Sequence, residues 1–315
     1  MTLDPQAQNL LTQLAAAGNP PRHMMTISAA RALSIASAAA TNDPPEPVQA
    51  VENHTIEVGK LHIPIRIYTP TVSEISGPLP LLIYFHGGGW VLSNLDTHDS
   101  LCRKIANRAR CLLISVDYRL APEHKFPAAV EDCYAATLWA AEHAAEINGD
   151  AQRIAVGGDS VGGNLATVVA LMARDRGTPP LIYQVLIYPV ADYHTPGHPS
   201  YFELAEGYNL TRKDMIWFWR CYLRDEQDAS NPYAVPMRAE TLQGLPPAFV
   251  ITAEYDPLRD EGEAYAQRLH QDGVPVALKR YQGMIHGFVN MSGVLDQGKQ
   301  AIEEIAAVLR QAFKQ

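Results

Sequence analysis

Cysteine is scarce in this chain. Cys102, Cys111, Cys133 and Cys221 are the only four in 315 residues, too few and too scattered for a disulfide scaffold. None forms a C-x-x-C pair, which excludes a zinc ribbon or a redox motif. Charge is sparse as well, at 19% Asp, Glu, Lys and Arg against about 25% in an average domain. A basic excess is absent: 25 Lys and Arg face 34 Asp and Glu, for a net −9. Phosphate contacts need clustered cations, so no nucleic-acid partner is expected. No run of 18 apolar residues exists, so no membrane span is expected either. The start, Met1-Thr2-Leu3-Asp4-Pro5, lacks the basic and apolar stretches of a secretion signal, and the expected location is cytoplasmic. What the chain does have is apolar side chains, 47% of the total. That suffices for one large core, with some left over for a pocket.

The first 50 residues differ from the rest. Asp4-Pro5 predicts an N-cap followed by Pro at the first helical position, with Leu10, Leu11 and Leu14 as an apolar stripe ending at Gly18. An Ala/Ser-rich helix without a strong apolar face is predicted over 26–40, before the breaker Pro44-Pro45-Glu46-Pro47. Such a segment leans on a larger body, as a lid or packing arm. From Val51 the pattern alternates, and Gly59-Lys60 suits a hairpin turn. Short apolar runs then recur at 81–85, 112–116, 154–156, 185–188, 249–252 and 276–278, with helical patterns between most of them. Continuous apolarity over a few residues is what strands buried on both faces require. Strand–helix repetition predicts a mostly parallel central sheet with helices on both faces, an α/β class. One insertion breaks the rhythm. Between Val190 and Ser230 stand Tyr193, Tyr201, Phe202, Tyr208, Trp217, Phe218, Trp219 and Tyr222, either ordinary core or the inner wall of a cap over an apolar pocket.

Reactive groups in an open α/β sheet lie where strands end and helices begin. After 154–156 comes Gly158-Asp159-Ser160-Val161-Gly162, the G-x-S-x-G of a nucleophile elbow. As a bare pattern it arises by chance in about 10% of chains of this length; a strand before it and a helix after it make it specific. The dinucleotide and P-loop alternatives fail, lacking Gly at Asp159 and Lys at Gly163. After 81–85 comes His86-Gly87-Gly88-Gly89-Trp90, glycines that let backbone N–H groups point into a cavity, as a developing oxyanion requires. His86 reads as structural. After 249–252, Asp256 stands one turn beyond the strand beside Pro257, with Glu254 and Asp260 as rivals. His286 follows the last strand, so Ser160, Asp256 and His286 occur in the chain order of a Ser–His–Asp triad on an α/β sheet. His194 and His198 invite a metal reading, but Pro196 and Gly197 between them preclude a helix face and no third ligand is near. No metal and no cofactor are expected.

These pieces, with Asp117-Tyr118-Arg119-Leu120-Ala121-Pro122-Glu123, Asp256-Pro257-Leu258-Arg259-Asp260 and His286-Gly287-Phe288, resemble the bacterial hormone-sensitive-lipase-like carboxylesterases of the α/β-hydrolase fold, over essentially the whole chain. The resemblance implies Ser160 as nucleophile, His286 as base and Asp256 as its orienter, with the N–H groups of Gly88, Gly89 and Val161 as oxyanion donors. It implies a catalytic domain over 51–190 and 231–315 and a helical cap from 1–50 and 191–230. The expected substrate is a small ester of short to medium chain length, with Trp90, Tyr208 and Trp217 as substrate contacts and room for a homodimer through the far sheet edge. An interfacial lipase or a non-catalytic binding module on the same scaffold are the alternatives. Two residues depart from the family's habit. Val161 replaces the usual Ala and crowds either the acyl pocket or the elbow helix; Trp90 stands where Phe is commoner.

Overall fold

The antiparallel pair that alternation predicts is present, β1 (Ala50–Val58) against β2 (Leu61–Thr69). The computed structural model describes residues 2–59, 61–71 and 77–314. Gly59, on the near side of the turn, takes φ 61, while Lys60 lies outside the described residues. The apolar runs become β3 (Leu79–Phe85), β4 (Leu112–Val116), β5 (Gly149–Asp159), β6 (Tyr183–Ile187), β7 (Ala248–Tyr255) and β8 (Val276–Ile285). Every residue of β3 and of β4 is buried, which is why these strands read as continuous rather than alternating. Among the described residues they make one eight-stranded sheet in the order β1-β2-β4-β3-β5-β6-β7-β8. β1/β2 and β2/β4 are antiparallel; every other pair is parallel. β3 lies between β4 and β5, so the chain winds outward in both directions from this point. The crevice at the carboxyl ends of β3 and β5 is therefore where such a sheet offers a ligand site.

Helices cover both faces. They are α1 (Pro5–Ala16), α2 (Ile27–Thr41), α3 (Asp99–Ala109), α4 (Ala128–Glu142), α5 (Val161–Arg176), α6 (Ser200–Glu203), α7 (Arg212–Tyr222), α8 (Arg259–Gln271) and α9 (Asp296–Ala312). β3 shows how the two apolar layers arise: Leu81, Ile83 and Phe85 join the layer that holds α4 and α5, while Leu82 and Tyr84 join the layer that holds α3 and α9. Ala301, Ile302, Ile305, Ala306 and Leu309 give α9 one buried stripe, whereas α5 is buried all along 161–173. At the N-terminus Asp4 caps α1, its carboxylate accepting from Gln6 N at 2.8 Å, and Thr26 caps α2. Strands are absent from residues 2–49 and from the stretch between β6 and β7, which carries α6 and α7. Among the described residues no helix is long and apolar enough to cross a membrane.

Where the chain leaves β6 for that stretch, Glu261 of α8 holds it. This fully buried carboxyl accepts from Ala191 N through Oε1 at 2.9 Å. Burial pushes the carboxyl well above its ordinary range. The folded protein therefore binds a proton here that the unfolded chain releases, and the stability this group contributes is full below about pH 4 and is lost as pH rises towards the folded value. Glu261→Gln keeps the acceptor and removes the charge. Its thermal midpoint should exceed wild type at pH 8 and converge with it near pH 4; a gap independent of pH would refute this account.

Candidate active site

Ser160 sits between the end of β5 and the first residue of α5 with φ 57 and ψ −119, a conformation that costs a non-glycine residue on the order of 1–3 kcal/mol. The surroundings impose it. Ser160 N donates to Ile187 O at 2.8 Å, and its carbonyl accepts from Val190 N at 3.1 Å and Asn164 N at 3.2 Å. The flanking glycines are needed for space. A Cβ on Gly162 would run into the Phe85 carbonyl of β3, and one on Gly158 into the Gly162 carbonyl. Strand, elbow and helix can pack this closely only with glycine at both positions.

Asp256 follows β7 by one residue and is fully buried. Its Oδ1 accepts from Leu258 N at 2.9 Å, which leaves Oδ2 to His286 Nδ1 at 2.7 Å. His286 Nε2 lies 3.0 Å from Ser160 Oγ. A carboxylate only accepts, so the proton belongs on Nδ1, and Nε2 is the acceptor facing the hydroxyl. The rivals are engaged elsewhere. Glu254 Oε2 accepts from Gly283 N at 2.6 Å, and Asp260 pairs with Arg259 at 2.7 Å.

Beside this series lies the turn after β3, where Gly88, Gly89 and Trp90 take φ 117, 65 and 60. Among the described residues the N–H groups of Gly88, Gly89 and Val161 have no hydrogen-bond partner. The turn is fastened from below by Asp159, whose Oδ1 accepts from Tyr84 Oη at 2.9 Å and Gly87 N at 3.0 Å while His98 Nε2 stands 3.2 Å away. Burial would raise this carboxyl, but His98 and Tyr84 outweigh it and hold it below the ordinary carboxylate range. Asp159→Ala leaves the Gly87 N–H and Tyr84 hydroxyl unpartnered in a buried place. Steady-state kinetics should show kcat falling at least about ten-fold with KM changed far less; the opposite split would show the turn to be held without Asp159. His86 is structural. Its Nδ1 donates to Gly87 O at 2.8 Å, its ring stacks on Tyr118, and burial, with help from His98, pushes its imidazole down to about 4.

Ser160 and His286 open onto a cavity with about 170 Å³ of free volume. The three aromatic substrate contacts expected from the sequence do not reach it. The left-handed turn at Trp90 sends its indole into the core, flat on Tyr222 with ring centroids 4.1 Å apart. Trp217 lies about 100° round α7 from Phe218 and points away, while Phe218 and Met215, one helical turn apart, form the wall. Tyr208 turns aside onto Tyr255, and its neighbour Asn209 faces the cavity instead. Val161 is not among the residues that line the cavity; its side chain is fully buried in the layer around α5. Much of the opposite wall comes from α2, through Leu33, Ser34, Ser37, Ala38 and Thr41. Its Ser34–Ser37–Thr41 spacing is the one sequence signal that marks this helix as a pocket wall, and it is easily taken for composition. His198 is paired with Asp192, Nε2 to Oδ2 at 3.2 Å.

Strand, elbow serine and helix in this arrangement define an α/β hydrolase. A family model described as α/β hydrolase fold matches residues 82–290. The chain is 43% identical over 279 residues to the carboxylesterase NlhH of Mycobacterium tuberculosis, covering 86% of each protein. It is 41% identical over 272 residues to an arylesterase of Saccharolobus solfataricus, again covering 86% of each. Among solved structures, an ester-hydrolase from the metagenome of Lake Arreo superposes with a TM-score of 0.95 at 42% identity over the full length of both chains. The hyperthermophilic esterase of Pyrobaculum calidifontis gives 0.93 at 45% identity, covering 99% of each. The chain belongs to this α/β-hydrolase family.

Proposed function

We propose that the protein is a serine carboxylesterase acting on short- to medium-chain carboxylic esters. The observation that carries the proposal is the unbroken series Asp256–His286–Ser160, at 2.7 and 3.0 Å, beside three backbone N–H groups that have no partner among the described residues. In this reading His286 Nε2 takes the Ser160 proton as Oγ attacks the ester carbonyl carbon. The oxyanion is received by the N–H groups of Gly88, Gly89 and Val161, each worth about 10²–10³ in rate. Collapse breaks the ester C–O bond, and the imidazolium returns its proton to the departing alcohol. Water, deprotonated by His286, then attacks the acyl-enzyme and releases the acid, and Ser160 regains its proton. Asp256 keeps its hydrogen bond to Nδ1 and stabilises the imidazolium. Residues 51–190 and 231–315 form the catalytic domain, and 1–50 with 191–230 form the cap, in keeping with the walls that α2 and α7 supply.

A panel of p-nitrophenyl esters graded by acyl length tests the proposal. Wild type should hydrolyse acetyl to hexanoyl esters and fall away sharply by palmitoyl. No hydrolysis of any member would refute it. Val161→Ala should keep the same length profile, because the side chain faces the core, while losing about 1–3 kcal/mol of stability to the void it leaves. A profile shifted to longer chains would instead place Val161 against the acyl group.

A further inference from the structure

Arg22 lies in a short 3-10 helix, Arg22–Met24, in the N-terminal arm between α1 and α2. Its guanidinium grips one residue twice: Nη1 donates to Asn209 O at 2.9 Å and Nη2 to Asn209 Oδ1 at 3.1 Å. A planar fork is suited to such a pair of acceptors, and an ammonium is not. With its oxygen taken, the Asn209 amide has only one way to face, and Nδ2 donates to the backbone carbonyl of His286 at 3.1 Å. Among the described residues nothing else bonds that carbonyl. Asn209 holds φ 71, a left-handed conformation that Asn and Asp tolerate better than other side chains. The arm is also moored next to this point, since Asp214 of α7 accepts from His23 Nδ1 at 3.0 Å and lies 3.7 Å from Arg22. Arg22, Asn209 and His286 all line the cavity that holds Ser160.

We propose that Arg22 and Asn209 are positioning residues for the reaction, a relay through which the N-terminal arm, seated over the cavity, sets the backbone of His286 and with it the imidazole that serves Ser160. The inference rests on the ester-hydrolase reading above. His286 is held by its side chain at Asp256 and Ser160, but the loop that carries it begins at the end of β8 and passes at once into Gly287 with φ 87. The Asn209 bond removes the freedom this glycine introduces. An arm that is properly seated therefore aligns the base, and an arm that is not leaves the triad present but loose.

Asn209→Asp separates this role from simple support. Aspartate keeps the two acceptors for Arg22 and tolerates the left-handed backbone, so the arm stays docked, but it has no hydrogen to give the His286 carbonyl. Asn209→Asp, Arg22→Ala and the double variant are compared with wild type by kcat and KM for p-nitrophenyl acetate on the pH plateau, by rate of fluorophosphonate labelling of Ser160, and by thermal midpoint. Asn209→Asp is expected to lower kcat and labelling about ten-fold, with KM within two-fold and the thermal midpoint at or above wild type. Links in series fail once, so the double variant should be no slower than the worse single. A loss confined to KM, a loss that follows the thermal midpoint, or losses that multiply in the double variant would each overturn the relay. An active wild type with unchanged variants overturns the relay alone. A wild type that neither hydrolyses the ester nor takes the label overturns the ester-hydrolase reading and the relay with it.

Discussion

Ser160→Ala is expected to lower kcat on the order of 10⁶-fold while the protein stays folded. Alanine replaces serine at φ 57, so the strained backbone is the same in both, and the N–H bonds that hold the elbow involve no side-chain atom of Ser160. What disappears is Ser160 Oγ, the atom proposed above to attack the ester carbonyl. The residual rate, on the order of 10³ above water, would come from the proposed oxyanion donors and from binding. His286→Ala should cost a similar factor, and the double variant little more, because nucleophile and base act as one unit. Burst kinetics and fluorophosphonate labelling provide the checks. A Ser160→Ala protein that kept even a hundredth of the wild-type rate would mean that another group attacks the ester.

Gly162→Ala should be nearly as damaging by a different route. A methyl group there meets the carbonyl of Phe85 rather than a movable side chain, so β3 or α5 must shift. β3 is buried throughout and α5 is buried over 161–173, and a close-packed interior resists such shifts, so the cost is about 1–3 kcal/mol or more. β3 leads directly into the turn that presents Gly88 and Gly89, so any movement that relieves the clash also displaces these proposed oxyanion donors. The expected outcome is poor soluble yield and a strongly lowered thermal midpoint, and the folded fraction should label slowly with fluorophosphonate. Gly157→Ala is the control: its Cβ would come no closer than 3.3 Å to Val185, a contact that small adjustments absorb. Equal loss in both variants would point to general strand damage and remove the elbow from the explanation.

The two results depend on parts of the protein that the sequence reveals unequally. Gly158-x-Ser160-x-Gly162 is legible because its constraint is local: strand, tight turn and helix follow within a few residues, and each glycine answers to a near neighbour. The His86–Trp90 stretch and the order Ser160, Asp256, His286 are legible for a related reason. Strand ends bring them to one edge of the sheet, and the apolar runs locate those strands, although β5, β7 and β8 continue past their runs to Asp159, Tyr255 and Ile285. The sheet itself follows from those runs, since strands buried on both faces admit few polar residues. The walls of the cavity are another matter. Trp90, Tyr208 and Trp217 are conspicuous by type, yet a positive φ, a helical rotation and a neighbouring turn send all three elsewhere. Arg22 and Asn209 lie 187 residues apart, and nothing near either marks it as a partner of His286.

By itself the sequence determined the α/β class, the strands, the elbow and the three residues at strand ends, because periodicity and tight turns are dictated by neighbours along the chain. Only the tertiary structure decided which side chains wall the pocket, that Val161 faces the core, and that the N-terminal arm reaches the loop of His286. Those outcomes depend on how a helix is rotated and where a distant segment docks. Packing sets both after the local structure is formed, and no short stretch of sequence encodes either.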